Sequence, residues 1–239
     1  MRSSATISAL AAAAAVAVGI AVTGCGSGAD GGDTSAQTSA ESTAATSEAG
    51  TETGTETSAA APADGQTVGE YLTANGVTQT IVKAGEQGVP TVDLPMPDGW
   101  EPITEAADVP PDVYGAIYLS AAKGTPNPPA ILVRMARLEG GTFDVAKIME
   151  LAPNAVTKLP GWDGPTTGTP SELGGFQASQ IAGQADVEGT PNFIARKTVV
   201  IPAPEHTYLL ALDAQGPLDQ RQALIAAMNV IDEGTTITP

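Results

Sequence analysis

The sequence predicts an α+β fold for residues 67–239, an antiparallel sheet of about six strands flanked by helices. Three observations carry that prediction. Runs of high β propensity follow one another across short turns, which forces antiparallel neighbours. Helical periodicity is confined to a few separate segments, the pattern of helices laid over a sheet. Both Trp, all four Tyr and all three Phe lie in this stretch, and about 170 residues suit one domain with a sizeable core.

Thr67-Val68-Gly69-Glu70 has the spacing of a capping box, in which Thr67 accepts from a first-turn amide and Glu70 reaches back. A short helix follows, with Val68, Tyr71 and Leu72 inward and Gly76 as its stop. Val77 to Lys83 and Val89 to Leu94 read as strands, whereas Met96 to Asp112, rich in Pro and acidic residues around Trp100, reads as a long loop. Val113 to Ser120 and Ala130 to Leu138 are strands separated by the turn Pro126-Asn127-Pro128-Pro129. In the second of these, Ile131, Val133 and Met135 share one face, and Leu132, Arg134 and Ala136 the other.

Phe143 to Ala152 has helical periodicity, ended or bent by Pro153, and Pro160 to Pro170 is a Gly/Pro loop containing Trp162. Phe176 to Ala182, Phe193 to Ile201 and Thr207 to Leu212 read as three strands, with turns at Ala185 to Gly189 and Pro202 to Glu205. Leu218 to Ile231 is an amphipathic helix whose inner face carries Ala223, Leu224, Ala227, Met228 and Ile231, with Gly234 as its stop.

Ahead of this domain the chain has a different character. Arg2 precedes an uncharged, Ala-rich apolar run from Ala9 to Val22, and Val22-Thr23-Gly24-Cys25 closes it. A basic start, a short apolar stretch and small residues at the cut define an export signal. The Cys after Gly24 makes it a lipoprotein signal, with residues 1–24 removed and Cys25 carrying the lipid. The run is shorter than the roughly 20 residues that span a bilayer. Residues 26–66 hold no aromatic residue, no Lys and no Arg. Low hydrophobicity with uniform negative charge is the signature of a disordered stalk, so 25–66 is read as lipidated Cys plus tether, with a root-mean-square span of about 35 Å.

Composition narrows the function. From Thr67 onward there are twenty Asp and Glu against nine Lys and Arg, which argues against nucleic acid as a partner. Cys25 is the only cysteine and His206 the only histidine, so no disulfide, zinc site or cofactor is expected. His206, beside Glu205, reads as a turn histidine rather than a general base. No Gly-x-Ser-x-Gly turn is present. Asp98, Glu101, Glu105, Asp108 and Asp112 share a loop but match no calcium-loop spacing. The better leads for ligand or partner binding are Trp100 and Trp162, each beside Gly in a Pro-bounded loop, where a Trp serves either as an interface anchor or as a plug for a core edge.

Four segments carry a family likeness. Thr91-Val92-Asp93-Leu94-Pro95-Met96-Pro97-Asp98-Gly99-Trp100, Leu173-Gly174-Gly175-Phe176, Lys197-Thr198-Val199-Val200-Ile201-Pro202 and Asn229 through Pro239 resemble the LpqN/LpqT family of mycobacterial cell-envelope lipoproteins. That resemblance implies a Mog1/PsbP-like α/β/α sandwich and a non-enzymatic role in building an envelope that contains mycolic acids. It further implies trehalose-linked glycolipids and inner-membrane lipid transporters as ligands or partners, and it brings no catalytic residue with it. The expected protein is lipid-anchored to the outer face of the plasma membrane. The alternatives are an adaptor without a small ligand and a carboxylate-based hydrolase of envelope glycans.

Overall fold

The computed structural model describes residues 65–104 and 110–239. The leader, Cys25 and nearly all of the stalk lie outside the described residues, as do Glu105 and Asp108. The first described turn is the expected one. Helix α1 (Val68–Ala74) opens on a capping box in which Thr67 Oγ1 accepts from the Glu70 amide and Glu70 Oε2 accepts from the Thr67 amide at 2.7 Å.

The main sheet has eight strands. Along its path lie β3 (Trp100–Pro102), β4 (Gly115–Leu119), β5 (Ala130–Glu139), β9 (Thr207–Pro217), β8 (Thr190–Pro202), β7 (Phe176–Val187) and β6 (Thr169–Leu173). Strand β1 (Thr78–Ile81) also pairs with β5. It meets Ala136 to Glu139, while β4 meets Ala130 to Val133, so two short strands lie end to end along one edge of β5. Every pairing in this sheet is antiparallel. A separate ribbon joins β2 (Thr91–Asp93) to β10 (Thr236–Thr238).

Strand alternation gives the sheet two buried faces. On one, Ile131, Val133 and Met135 of β5, Val199 and Ile201 of β8, and Leu210 and Leu212 of β9 pack with Leu224, Ala227 and Ile231 of helix α4 (Arg221–Gly234). Each buried Leu or Ile here contributes about 1.5–3 kcal/mol. Val92 and Ile237 of the ribbon rest on the same cluster. The other face holds two smaller clusters. Leu72, Leu138, Ile148 and Val200 lie under α1 and α2 (Val145–Leu151), and Val156, Ile181, Ala185 and Ile194 lie under α3 (Asn154–Thr157). The result is a sheet between helices.

Three differences from the sequence reading have local causes. The acidic loop contains a strand, because Trp100 to Pro102 pairs with Ile117 to Leu119. Pro102 is tolerated there because β3 is an edge strand, where no ladder partner needs its missing amide. Thr169 and Pro170, expected to end the Pro160 to Pro170 loop, instead open the strand Thr169 to Leu173, which forms the opposite edge, again with a Pro inside it. The β7–β8 turn is tighter than Ala185 to Gly189. Only Glu188 and Gly189 turn, both at positive φ, as a two-residue hairpin requires.

The ends of the helices follow the same logic. Asp144 caps α2 through the Ala146 amide at 2.8 Å, and Pro153 separates α2 from α3 rather than ending the helical stretch. Among the described residues no helix is long and apolar enough to cross a membrane.

A cleft at the end of helix α4

The segments that carry the family likeness are far apart in sequence and meet in space. β2 pairs with β10, matching Thr91 to Thr238 and Asp93 to Thr236. Pro95 lies against Gly234, where a Cβ would come within 2.9 Å of its ring. Gly174, in the two-residue turn between β6 and β7, faces Ile237 so closely that a Cβ there would meet Ile237 Cγ1 at 2.7 Å. Its φ of 55° also requires glycine in practice. Lys197 completes the convergence from β8.

Between the β6–β7 hairpin and the end of α4 lies an open cleft of about 380 Å³, lined by Glu172, Gly174, Asp232, Glu233, Thr235 and Ile237 among others. Lys197 is its structural anchor. A lysine in a strand buried on both faces must find partners for its charge, and this one, 2 % exposed, finds three. Its Nζ donates to Asp232 Oδ2 at 2.7 Å, to Ser171 Oγ at 3.0 Å and to the Glu172 carbonyl at 3.4 Å. These bonds tie β8, β6 and α4 together at one point. The Asp232 side chain is 29 % exposed, yet its Oδ1 is covered and takes no hydrogen bond from the described residues. At the next turn Thr235 closes the helix, its Oγ1 donating to the Ile231 carbonyl at 2.6 Å.

The two tryptophans stand elsewhere, on opposite faces of the sheet. One turn places both. The Trp100 amide donates to the Pro97 carbonyl at 3.1 Å and the Trp162 amide to the Leu159 carbonyl at 3.2 Å. Gly99 and Gly161 supply the positive φ at the third position, as a type II turn demands. Trp100 is 6 % exposed and belongs to the cluster under α4. Trp162 is half-buried against the cluster under α3, and its Nε1 donates to the Pro165 carbonyl at 3.0 Å. They therefore do not share a cleft.

Several other charged groups are occupied locally. Asp112 and Asp213 both pair with Arg134, at 2.7 and 2.8 Å, and Asp213 also pairs with Arg196. Burial opposes the Arg196 charge, but the adjacent Asp213 carboxylate outweighs it and holds the guanidinium pKa above its ordinary value. Glu101 accepts from the Tyr118 hydroxyl at 2.8 Å, and the His206 ring meets the Tyr208 ring edge-on at 6.4 Å. Among the described residues no three His, Cys, Asp or Glu side chains are grouped to hold a metal ion.

The cleft residues were within reach of the sequence. Strand alternation puts Lys197 on the same face as Val199 and Ile201, so a core-facing lysine signals a buried partner. Nothing local in the sequence names that partner, Asp232, thirty-five residues later in the chain.

Comparison with known proteins agrees with this architecture. The chain is 38 % identical over 173 residues to Lipoprotein LpqN of Mycobacterium tuberculosis (strain ATCC 25618 / H37Rv), covering 72 % of this chain and 74 % of that protein. The crystal structure of LpqN, described as involved in cell envelope biogenesis of Mycobacterium tuberculosis, superposes with a TM-score of 0.68 at 38 % identity, covering 73 % of this chain and 98 % of that one. The family model described as "Lpp-LpqN: Probable lipoprotein LpqN" matches residues 65–238. That span takes in the sheet, both helical layers and every segment that builds the cleft, and the chain belongs to this lipoprotein family.

Proposed function

We propose that this protein is a membrane-anchored, non-enzymatic lipoprotein of the cell envelope that binds a glycolipid headgroup in the cleft at the end of α4. The same role includes docking to an inner-membrane lipid-transport protein during biogenesis of an envelope that contains mycolic acids. The observation that carries the reading is convergence: two of the family-like segments, around Leu173 to Gly175 and Asp232 to Ile237, line one cleft of about 380 Å³, and the other two brace it, β2 by pairing with β10 and Lys197 by bonding Asp232. That volume is near the lower end of small-molecule sites. It suits a headgroup better than a long acyl chain. The relative involved in cell envelope biogenesis supports the envelope setting. Lipidation at Cys25, outside the described residues, supplies the anchor in this reading and confines the cleft to the zone above a membrane.

Of the two tryptophans, Trp162 enters as a contact for a protein partner, whereas Trp100, buried in the cluster under α4, plugs the core beneath its loop. The test is lipid capture. The full chain is incubated with envelope lipid extract, repurified, and its bound lipid identified by mass spectrometry, beside Thr236→Trp, which blocks the mouth from an exposed position. Glycolipid recovered with the native chain and lost with the variant supports the reading. Equal recovery with both removes the cleft from it. Crosslinking of native and Trp162→Ala chains to membrane proteins tests the partner role, and unchanged crosslinks in the variant remove Trp162 from it.

A further inference from the structure

We propose that the outer edge of β1 is a strand-addition site, which takes up a short extended segment, rich in Lys or Arg, of a partner protein. This edge is separate from the cleft, at the β6–β7 hairpin, and from Trp162, whose ring lies against Gly183 of β7.

The Val82 amide donates to the Met135 carbonyl at 3.0 Å and continues the register that sets Ile81 beside Ala136 and Thr78 beside Glu139. Amides in an antiparallel ladder alternate, so Thr78, Thr80 and Val82 turn theirs toward β5, and Gln79 and Ile81 turn theirs outward. Among the described residues no strand meets them, since β1 pairs with β5 alone. The two outermost edges of the sheet are blocked. In β3 the Ile103 amide donates to the Ala116 carbonyl at 2.9 Å, which turns Pro102 outward, and Pro has no amide to offer. In β6 the two-residue hairpin closes on Leu173 and Phe176, so Pro170 and Glu172 turn outward, and the Glu172 carbonyl is already taken by Lys197. Proline and charge are how sheets protect an edge. β1, Thr-Gln-Thr-Ile, has neither.

The same geometry selects the occupant. β3 pairs with Ile117 to Leu119 of β4, and no described strand continues it beside β1. The free edge is thus set back by one strand, a step that a single extended chain fills. Four residues of strand offer far less than the roughly 1,600 Å² of a stable folded interface, whereas main-chain hydrogen bonds suffice for an added peptide strand. Charge sets its composition. Glu139 lies opposite Thr78 and accepts from Thr80 Oγ1 at 2.6 Å, and Glu86 accepts from the Lys83 amide at 3.2 Å just beyond the strand. Two cations of this region are engaged, Arg137 with Glu139 at 3.2 Å and Lys83 Nζ with the Pro111 and Val113 carbonyls. With twenty Asp and Glu against nine Lys and Arg from Thr67 onward, a basic segment is drawn to this edge and an acidic one repelled.

The test titrates two synthetic peptides into the labelled full chain, acetyl-Lys-Val-Thr-Val-Lys-Val-amide and its counterpart with Glu in place of Lys, with amide resonances and hydrogen exchange followed by NMR. In the free chain the Gln79 and Ile81 amides are expected to exchange fast while those of Thr80 and Val82 are protected. The basic peptide is expected to shift and protect Gln79 and Ile81, and to bind at least about tenfold tighter than the acidic one. Ile81→Pro deletes one outward amide and spares the ladder to β5, and should weaken the basic peptide about fivefold or more. Gln79→Lys keeps every backbone group and guards against misfolding of the proline variant. It should weaken the basic peptide and strengthen the acidic one. Slow exchange of Gln79 and Ile81 in the free chain would overturn the inference, because the edge would already be taken by this chain or by a second copy. Equal affinity for both peptides, no shift at Gln79 and Ile81 with either, or native affinity in either folded variant would each overturn it as well. Lipid capture at the cleft is read independently of all of them.

Discussion

Replacing Lys197 by Met should unbalance the corner of the fold on which the cleft depends. The change keeps a long apolar stem in the core and removes three hydrogen bonds, to Asp232, Ser171 and the Glu172 carbonyl. It also leaves the Asp232 carboxylate without its only described partner. Breaking a fully buried pair by removing one member costs about 3–5 kcal/mol. Asp232 is 29 % exposed and recovers some hydration, which lowers the expected loss to about 2–4 kcal/mol. For a domain of this size each kcal/mol moves the midpoint by about 2–4 °C, so the drop should be about 5–15 °C. Removing both charges in Lys197→Met/Asp232→Leu should restore much of it, because no buried charge is then left unpaired. Circular dichroism melts of the native chain, both single variants and the double variant complete the cycle. A single-variant loss below about 2 °C, or a double variant no more stable than the sum of the singles predicts, would refute the reasoning.

Gly183→Ala should destabilise by about 1–3 kcal/mol in urea unfolding, because its Cβ would sit 2.7 Å from the Trp162 ring and 2.8 Å from the Asp163 carbonyl. Trp162→Ala in that background should relieve only the ring contact. Ile237→Ala should cost about 1–2 kcal/mol and speed amide exchange in Thr91–Asp93 and Thr236–Thr238 while β8 and β9 stay protected, since a three-residue ribbon has little else to hold it. Glu70→Gln tests the capping box by pH. Hydrogen bonds from the Thr67 amide and hydroxyl, aided by Lys158, hold the Glu70 carboxyl below its ordinary 4.5. The native chain's advantage over Glu70→Gln should thus be present above about pH 4.5 and fade as the pH falls through the lower folded value. A gap in urea midpoint that stays constant down to strong acid would contradict it.

How legible the chain was depends on whether the signal was local. Thr67 and Glu70 stand three residues apart and announced a capping box that the fold contains. The alternation of Ile131, Val133 and Met135 fixed which face of β5 is buried, and each is at most 2 % exposed. The inward residues of the last helix followed from period alone. The edges were less legible. Trp100 to Pro102 and Thr169 to Leu173 each contain a proline and pair on one side only, so their strand character comes from the neighbour and not from propensity. β10 is the clearest case. Thr236 to Thr238 has threonines suited to a strand, but its partner, Thr91 to Asp93, is about 145 residues earlier. The cleft inherits that difficulty, because Lys197, Asp232 and Gly174 acquire a common purpose only once the sheet has closed.

The placement of the cleft bears on how an anchored protein can use it. Residues 65 and 66 enter the domain at α3, where the Asn154 side-chain amide donates to the Gln66 carbonyl at 2.7 Å, and Lys158 of the same region pairs with Glu70 of α1 at 3.6 Å. Both contacts belong to the helical layer over Val156 and Leu72. The cleft is lined by the β6–β7 hairpin, the end of α4 and β10, and α4 and Ile237 pack on the other face of the sheet. Residues 65 and 66 and the cleft therefore lie on opposite faces of the sheet. With the two on opposite faces, the half-exposed Trp162 ring lies on the same face as residues 65 and 66, over the cluster under α3, and away from the cleft.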